Sequence, residues 1–236
     1  MLRLYVPSAV GADGVVRIGG AERRHLHTLR LGAGDRLRLF DDAGAEHEVV
    51  LERLTTREAI GRVVATVPAA PETGLEITLA PALLKRERMD WMVEKTTELG
   101  VTRIAPIVTR YTVARGDHVE RWRRIAIAAA KQCGRMRVPA VEPPRRIEDA
   151  LGTSWPGLRL VAWEDETTVG LRHVGDRPRA VSVLIGPEGG FHGDEIAAAR
   201  AAGFTAVTLG RRVLRAETAS IVAVALCQDH FAPTRD

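Results

Sequence analysis

The spacing of hydrophobic residues changes near residue 70 of this chain. Before that point, apolar and polar residues alternate with a period of two in RLRLF (36–40), EHEVVLERL (46–54) and AIGRVVATV (59–67), a pattern typical of half-buried strands. Residues 21–31 have the spacing of one helix. We therefore predict a small, mainly β domain over residues 1–70.

A linker follows, and beyond it the spacing of hydrophobic residues is different. The segment PAAPETG (68–74) combines two prolines and a glycine with little hydrophobicity, as linkers do. Beyond it, short apolar runs typical of buried strands alternate with helical patterns such as Glu87–Leu99, which Gly100 ends. This alternation predicts a second, α/β domain over residues 71–236, with a largely parallel sheet covered on both faces.

Two segments near the C-terminus predict a ligand site. VSVLIGPEGGFHGDEI (181–196) and VTLGRRVLRAETAS (207–220) each begin as an apolar run, break at glycine and continue into a helix. Loops that follow parallel strands meet at one edge of the sheet, where α/β proteins bind ligands. We expect the glycines to let the backbone approach a small molecule closely.

The small molecule is not predicted to be a phosphate. The sequence contains no GxxxxGK[ST] motif, and Asp194 and Glu195 place negative charge at the start of the helix, where a phosphate would lie. LGAGD (31–35) precedes a strand rather than a helix, so it predicts a turn. His25 and His27 point in different directions on a helix, so no metal site is predicted.

Basic residues are concentrated in the middle of the chain. Residues 85–146 contain 15 Lys and Arg against 7 Asp and Glu, in a chain whose net charge is +4. The two clusters in this region are Lys85, Arg86 and Arg88 at a predicted helix start and Lys131, Arg135 and Arg137 around a glycine. Positive charge is unfavourable at a helix start, so we interpret these residues as contacts to a polyanion such as RNA. A solvated basic surface is the alternative.

Other features limit the class of protein. No apolar stretch is long enough to span a bilayer, and the N-terminus lacks a signal-peptide core. Cys133 and Cys227 have neither metal-ligand spacing nor a disulfide framework, which favours a reducing cytoplasm. Met89, Trp91 and Met92 are expected to pack in the core. We predict a cytoplasmic protein without membrane or metal partners.

The motifs together resemble the RsmE family of 16S ribosomal RNA uridine-N3 methyltransferases, within the SPOUT superfamily. The resemblance rests on KRERMDWMVEKTTELGV, IAAAKQCGRMRVP, IGPEGGF and LGRRVLRAETA, and near the N-terminus on MLRLYV with AERRHLHTLRLGAGD. Two residues depart from the family pattern, because Arg211 stands where proline is common and Ala216 where threonine is common.

The resemblance implies an architecture and a set of partners. It implies a PUA-like RNA-binding domain over residues 1–70 and a SPOUT trefoil-knotted parallel-sheet methyltransferase domain over residues 71–236. It further implies a homodimer whose pocket is completed across the interface, S-adenosylmethionine bound by the two glycine segments, and 16S rRNA of the 30S subunit as the substrate, methylated at N3 of a uridine in the decoding region.

The resemblance also assigns roles to residues. Cofactor contacts are expected from Leu184, Gly186, Pro187, Glu188, Gly189, Gly190, Leu209, Gly210, Leu214, Arg215, Ala216 and Ala219. RNA contacts are expected from the two central clusters and from Arg3, Arg23, Arg24 and Arg30. Arg215 is the catalytic candidate, since it can stabilise negative charge on the base. Glu217 or Glu188 orients that arginine or accepts the proton, and we favour orientation for Glu217.

Two alternatives stay open at this point. The first is a SPOUT methyltransferase that modifies another rRNA or tRNA base, or a ribose hydroxyl. The second is a non-catalytic RNA-binding factor in ribosome assembly. The identity of the modified nucleoside distinguishes the first alternative, and a test of S-adenosylmethionine binding distinguishes the second.

Overall fold

The structure is a computed structural model that describes residues 1–7, 10–11, 13–41, 45–67, 72–175 and 177–233. Most of the predicted linker, residues 68–71, lies outside these ranges. The chain divides into two compact units. Unit 1 contains Met1–Pro71 and Ala130–Val138, and unit 2 contains Glu72–Ala129 and Pro139–Asp236. No sequence pattern indicated that Ala130–Val138 packs with the N-terminal residues.

Unit 1 is built on a five-stranded sheet. Its elements are β1 (Arg3–Tyr5), β2 (Val15–Ile18), α1 (Gly20–Thr28), β3 (Arg36–Phe40), β4 (Glu46–Leu54) and β5 (Ala59–Val67). The strand order is β1-β3-β4-β5-β2, with β1 parallel to β3 and the other neighbours antiparallel. The alternating pattern predicted the bounds of β3, β4 and β5. Helix α1 ends before the predicted Leu31, because Arg30 has a left-handed φ of 58°.

The core of unit 1 explains why Ala130–Val138 belongs to it. Apolar side chains from the strands and α1 form one buried cluster that includes Leu4, Ile18 and Leu26. Arg3, the first residue of β1, donates to the backbone carbonyls of Ala130 at 2.8 Å and Arg135 at 2.7 Å. These hydrogen bonds tie the inserted segment to the sheet.

Unit 2 alternates strands and helices. Its elements are β6 (Glu76–Pro81), α2 (Arg86–Glu98), β7 (Arg103–Ile104), β8 (Ile107–Val108), α3 (Val119–Cys133, whose last residues belong to unit 1), β9 (Ala140–Val141), β10 (Arg145–Arg146), α4 (Ile147–Leu151), β11 (Leu158–Ala162), β12 (Ala180–Ile185), α5 (Gly193–Ala201), β13 (Thr205–Val207) and α6 (Ala216–Phe231).

The main sheet of unit 2 is entirely parallel. Its order is β13-β11-β12-β6-β7-β9, and every neighbouring pair runs in the same direction. Strands β8 and β10 pair separately. Because β11, β12 and β13 are parallel and are neighbours in the sheet, the loops that follow them emerge at the same edge of the sheet, where ligands bind in such proteins.

The packing of α2 corrects one prediction. Met89, Met92 and Val93 are fully buried, at the spacing of one helix face. Trp91 lies off that face and is 45% exposed, so its predicted place in the core was wrong. Trp122 and Trp155 are buried. Among the described helices, none combines the length and apolar character needed to cross a membrane.

Candidate active site at the edge of the parallel sheet

A cavity of about 360 Å³ opens where β11, β12 and β13 end. Three loops and the start of α6 line it, with residues Ala162, Trp163, Glu164, Glu166, Thr167, Ile185, Gly186, Pro187, Glu188, Gly190, Thr208, Leu209, Gly210, Arg211, Arg212, Val213, Leu214, Ala216 and Ala219. Two of the three loops belong to the glycine segments singled out in the sequence. The structure therefore brings both segments to one site.

In the loop after β12, residues 186–190, side chains at the glycines would crowd neighbouring groups. A Cβ on Gly190 would lie 1.9 Å from Oε1 of Glu164, and Gly190 has a φ of 72° that disfavours other residues. A Cβ on Gly189 would lie 3.1 Å from Cβ of Tyr111. The absence of these side chains leaves the backbone open to a ligand on the cavity side.

Glu195 anchors this loop. Its side chain is buried, and its two carboxylate oxygens accept hydrogen bonds from the backbone N–H groups of Arg110 and His192, each at 2.8 Å. Glu195 thus connects the start of α5 to the segment after β8. From the sequence, Glu195 was interpreted only as negative charge at the start of the helix. The spacing of His192 and Glu195, as N-cap and N3 residues of α5, is the signal that could have indicated this capping role.

Arg88 on the first turn of α2 contacts carboxylates from both glycine segments. Its Nη1 lies 2.5 Å from Oε1 of Glu188, and its Nε lies 3.6 Å from Oε1 of Glu217. Glu217 is 6% exposed, and its Oε2 has no hydrogen-bond partner among the described residues. The expectation that Glu217 orients Arg215 is therefore corrected, because Glu217 pairs with Arg88.

The loop after β11 contributes acidic groups that the sequence analysis missed. Oε1 of Glu166 accepts hydrogen bonds from the Thr168 hydroxyl at 2.6 Å and from the backbone N–H groups of Thr168 and Val169. The Thr168 hydroxyl, followed by these N–H groups, lowers the pKa of Glu166 to about 2. Glu164 and Glu188 also line the cavity, and so do Arg211 and Arg212, so the wall carries charges of both signs.

The predicted cofactor contacts divide into two groups. Those that line the cavity are Gly186, Pro187, Glu188, Gly190, Leu209, Gly210, Leu214, Ala216 and Ala219. Leu184 does not, because side chains alternate along β12 and this one is fully buried in the core. Gly189 faces Tyr111, and Arg215 is the exposed N-cap residue of α6.

The residues predicted to contact RNA differ in their exposure to solvent. Arg3 is an internal residue: its Nε donates to Oε1 of Glu46 at 2.7 Å, and its guanidinium lies 4.1 Å from the centre of the Phe40 ring. This placement corrects its assignment as a surface contact. Lys131 pairs with Glu22 at 2.9 Å. The exposed members of the predicted set are Arg24, Arg30, Lys85, Arg86 and Arg137, whereas Arg23 and Arg135 are half-buried.

Comparisons with known proteins show which class of protein contains this site. Residues 71–228 match the family model of the RNA methyltransferase domain, so the cavity belongs to a methyltransferase unit. A ribosomal RNA small subunit methyltransferase E from Neisseria gonorrhoeae, solved with S-adenosylmethionine bound, is 33% identical with a TM-score of 0.89 over 97% of both chains. A putative methyltransferase from Legionella pneumophila, also solved with this cofactor, is 30% identical with a TM-score of 0.90 over 97% of both chains.

A relative found by sequence comparison shows to which family of methyltransferases the chain belongs. The ribosomal RNA small subunit methyltransferase E of Rickettsia conorii is 30% identical over 231 residues, which cover 94% of this chain and 93% of the relative. The chain belongs to the family of ribosomal RNA small subunit methyltransferase E. Among the described residues, no group of three or more His, Cys, Asp or Glu side chains is placed to hold a metal ion.

Proposed function

We propose that this protein uses S-adenosylmethionine to methylate N3 of a uridine in the decoding region of 16S rRNA. The observation that carries the proposal is the cavity that both glycine segments line, with Arg211 and Arg212 of the second segment in its wall. The names of its relatives, as small subunit rRNA methyltransferases, support the class of substrate.

The residues of the cavity fit the cofactor. A volume of about 360 Å³ lies within the usual range for small-molecule sites. The backbone of Gly186, Gly190 and Gly210 can reach a ligand closely, since no side chains intervene. The carboxylates of Glu164, Glu166 and Glu188 suit the positive charges of S-adenosylmethionine, whose sulfonium supplies an activated methyl group.

Arg215 is the proposed catalytic residue. Uridine N3 becomes nucleophilic only when its proton leaves, so the protein must hold the base in position and stabilise the negative charge that develops on it. Arg215 is exposed at the start of α6, between the cavity residues Leu214 and Ala216. No ion pair to Arg215 occurs within the described part of the chain, so its charge is available to the base.

Arg88 is the proposed positioning residue. It joins Glu188 of the first glycine segment to Glu217 of the second, and it thereby links the two loops that form the cavity. We expect Arg88→Ala to weaken cofactor binding, since Glu188 lines the cavity. Arg215→Ala should instead leave cofactor binding intact.

The remaining expectations form part of the same proposal. Unit 1 would be the PUA-like RNA-binding domain, and unit 2 a SPOUT domain with a trefoil knot. Support comes from the mainly antiparallel sheet of unit 1 and from the glycine loops of unit 2, which meet at one edge of a parallel sheet. A homodimer would complete the cavity, and an enzyme with this substrate would act in the cytoplasm, where 30S subunits assemble.

The deciding experiment is methyl transfer from labelled S-adenosylmethionine to purified 30S subunits and to naked 16S RNA, with the product nucleoside identified by mass spectrometry. We expect N3-methyluridine. Arg215→Ala should lower kcat by about 100-fold, the typical loss when a group that stabilises charge is removed. Arg172→Ala, an exposed arginine outside the cavity, is the matched control and should keep full activity.

Each alternative function has its own outcome in this experiment. A different methylated base or a ribose-methylated product would assign the protein to another SPOUT activity. Failure to bind S-adenosylmethionine in calorimetry would identify a non-catalytic assembly factor. An Arg215→Ala variant with full turnover would remove Arg215 from the mechanism while leaving the substrate assignment in place.

A further inference from the structure

Unit 2 contains a second cavity, of about 210 Å³, between the start of α2 and the segment that precedes α3. Buried side chains of Met89 and Trp122 form part of its wall. The exposed side chains of Lys85, Arg86, Arg115 and His118 line it as well. The cavity therefore combines an apolar interior with basic groups at the surface.

We propose that this second cavity binds one nucleotide of the RNA strand that carries the target uridine, with its phosphate on Lys85, Arg86 and Arg115. The inference rests on the proposed function for the identity of the strand. Arg115 and His118 were not among the predicted RNA contacts, so the cavity adds residues as well as a defined place for the nucleotide.

The charges at this cavity lack internal partners. Among the residues that the structure describes, no carboxylate pairs with Lys85, Arg86 or Arg115. Two of the neighbouring acids are engaged elsewhere: Oδ1 of Asp90 accepts from Nε of Arg121 at 2.9 Å, and Oδ1 of Asp117 accepts from a backbone N–H at 3.0 Å. Glu87, on the first turn of α2, is exposed and does not line the cavity. Three cations around one cavity repel each other, and binding of an anion relieves that repulsion.

The size and composition of the cavity favour a nucleotide over other anions. The volume is below the range of about 300–1,000 Å³ for sites that enclose a whole small-molecule ligand, so one part of a larger molecule fits better. The exposed lining residues are basic, and proteins hold the phosphate backbone of single strands with such groups in a groove. Lys85 caps α2 without a side-chain hydrogen bond, which leaves the positive end of the helix dipole open to the phosphate.

Both elements of the second cavity extend to the proposed cofactor site. Arg88, two residues after Arg86 on α2, contacts Glu188 of the first glycine segment. The segment that carries Arg115 begins beside the same loop, where Cβ of Tyr111 faces Gly189. A strand bound at the second cavity would therefore pass close to the methyl donor, as a nucleotide flanking the target must.

The test compares two triple variants of the full-length protein. Lys85→Ala/Arg86→Ala/Arg115→Ala removes the cations of the cavity. Arg172→Ala/Arg177→Ala/Arg179→Ala removes three exposed cations of unit 2 that line neither cavity. Binding of a labelled ten-nucleotide oligouridylate is measured by fluorescence anisotropy over a range of salt concentrations, and S-adenosylmethionine binding is measured by calorimetry.

We expect the cavity variant to reduce the slope of log K against log salt by about 0.7, the contribution of one phosphate contact to a single strand. Its KM for 30S subunits should rise while kcat and cofactor affinity stay unchanged. The control variant should behave as wild type. If the triple variant is unstable, Arg115→Ala alone should weaken oligouridylate binding and lower the slope by a fraction of that amount, while Arg172→Ala leaves both unchanged.

Three results have distinct meanings. A cavity variant whose salt slope equals that of the control would overturn the proposal. Displacement of the oligouridylate by inorganic phosphate as effectively as by uridine monophosphate would show a free-anion site and also overturn it. If the wild type binds oligouridylate through these residues but does not methylate 30S subunits, the proposed function fails and the nucleotide site stands.

Discussion

Replacing Glu195 with alanine removes two hydrogen bonds that hold the start of α5, which follows the glycine loop after β12. Both bonds join a buried carboxylate to backbone N–H groups, one on Arg110 and one on His192, at 2.8 Å each. A hydrogen bond to a charged group contributes about 1.5 kcal/mol or more to stability. The loss of both should therefore destabilise unit 2 by about 3 kcal/mol.

This magnitude can be measured by urea unfolding. With a denaturant slope of about 2 kcal/mol per molar urea, the midpoint should fall by about 1.5 M. Calorimetry should also show weaker S-adenosylmethionine binding, because the freed loop lines the proposed cofactor cavity. Glu195→Gln should recover part of the stability, since the amide oxygen still accepts one of the two N–H groups.

Asp194→Ala is the matched control, because it removes a carboxylate from the same turn of α5. The Asp194 side chain is 89% exposed, and its carboxylate contacts only the His192 ring at 3.2 Å. Its loss should change stability by about 0.5 kcal/mol or less. If Glu195→Ala unfolds at the same urea concentration as Asp194→Ala and binds the cofactor normally, the anchoring role of Glu195 is refuted.

Three further predictions concern the site and the core. Gly190→Ala should cost about 1 kcal/mol, because alanine disfavours a φ of 72°, and it should weaken S-adenosylmethionine binding in calorimetry by displacing the Glu164 carboxylate. Because the pKa of Glu166 in the folded protein is lowered to about 2, its carboxylate stabilises the fold above about pH 4.5, and this stabilisation is lost as the pH falls towards 2. In urea unfolding, the stability of Glu166→Gln should therefore fall less than that of the wild type over this pH range. Burial raises the pKa of the Cys227 thiol to about 12, so a thiol reagent at pH 8 should label only Cys133 until the protein unfolds.

The strands of unit 1 and the two glycine segments could be predicted because their signals are local. Alternation alone indicated the bounds of β3, β4 and β5, since each strand has one face in the core. Glycines mark the loops after β12 and β13 because Gly190 and Gly210 have positive φ values, of 72° and 128°, which other residues rarely adopt. Local patterns of this kind are readable in a single sequence.

The loop after β11 could not be predicted as part of the site. Ala162–Thr167 contains no glycine and no recognisable motif, and it precedes the first glycine segment in the sequence. It lines the cavity because β11 lies between β12 and β13 in the sheet, an order that no local pattern specifies. The presence of Glu164 and Glu166 in the cavity wall could not be predicted for the same reason.

The pairing of Glu217 was misjudged because nearness in sequence differs from nearness in space. Arg215 and Glu217 are two residues apart at a helix start, and side chains at that separation do not face each other. Helix α2 packs against α6, and Arg88 thereby reaches the buried carboxylate, which needs a cation. Because Glu217 is paired with Arg88, it does not neutralise Arg215, and Arg215 can meet the negative charge that the proposed reaction creates.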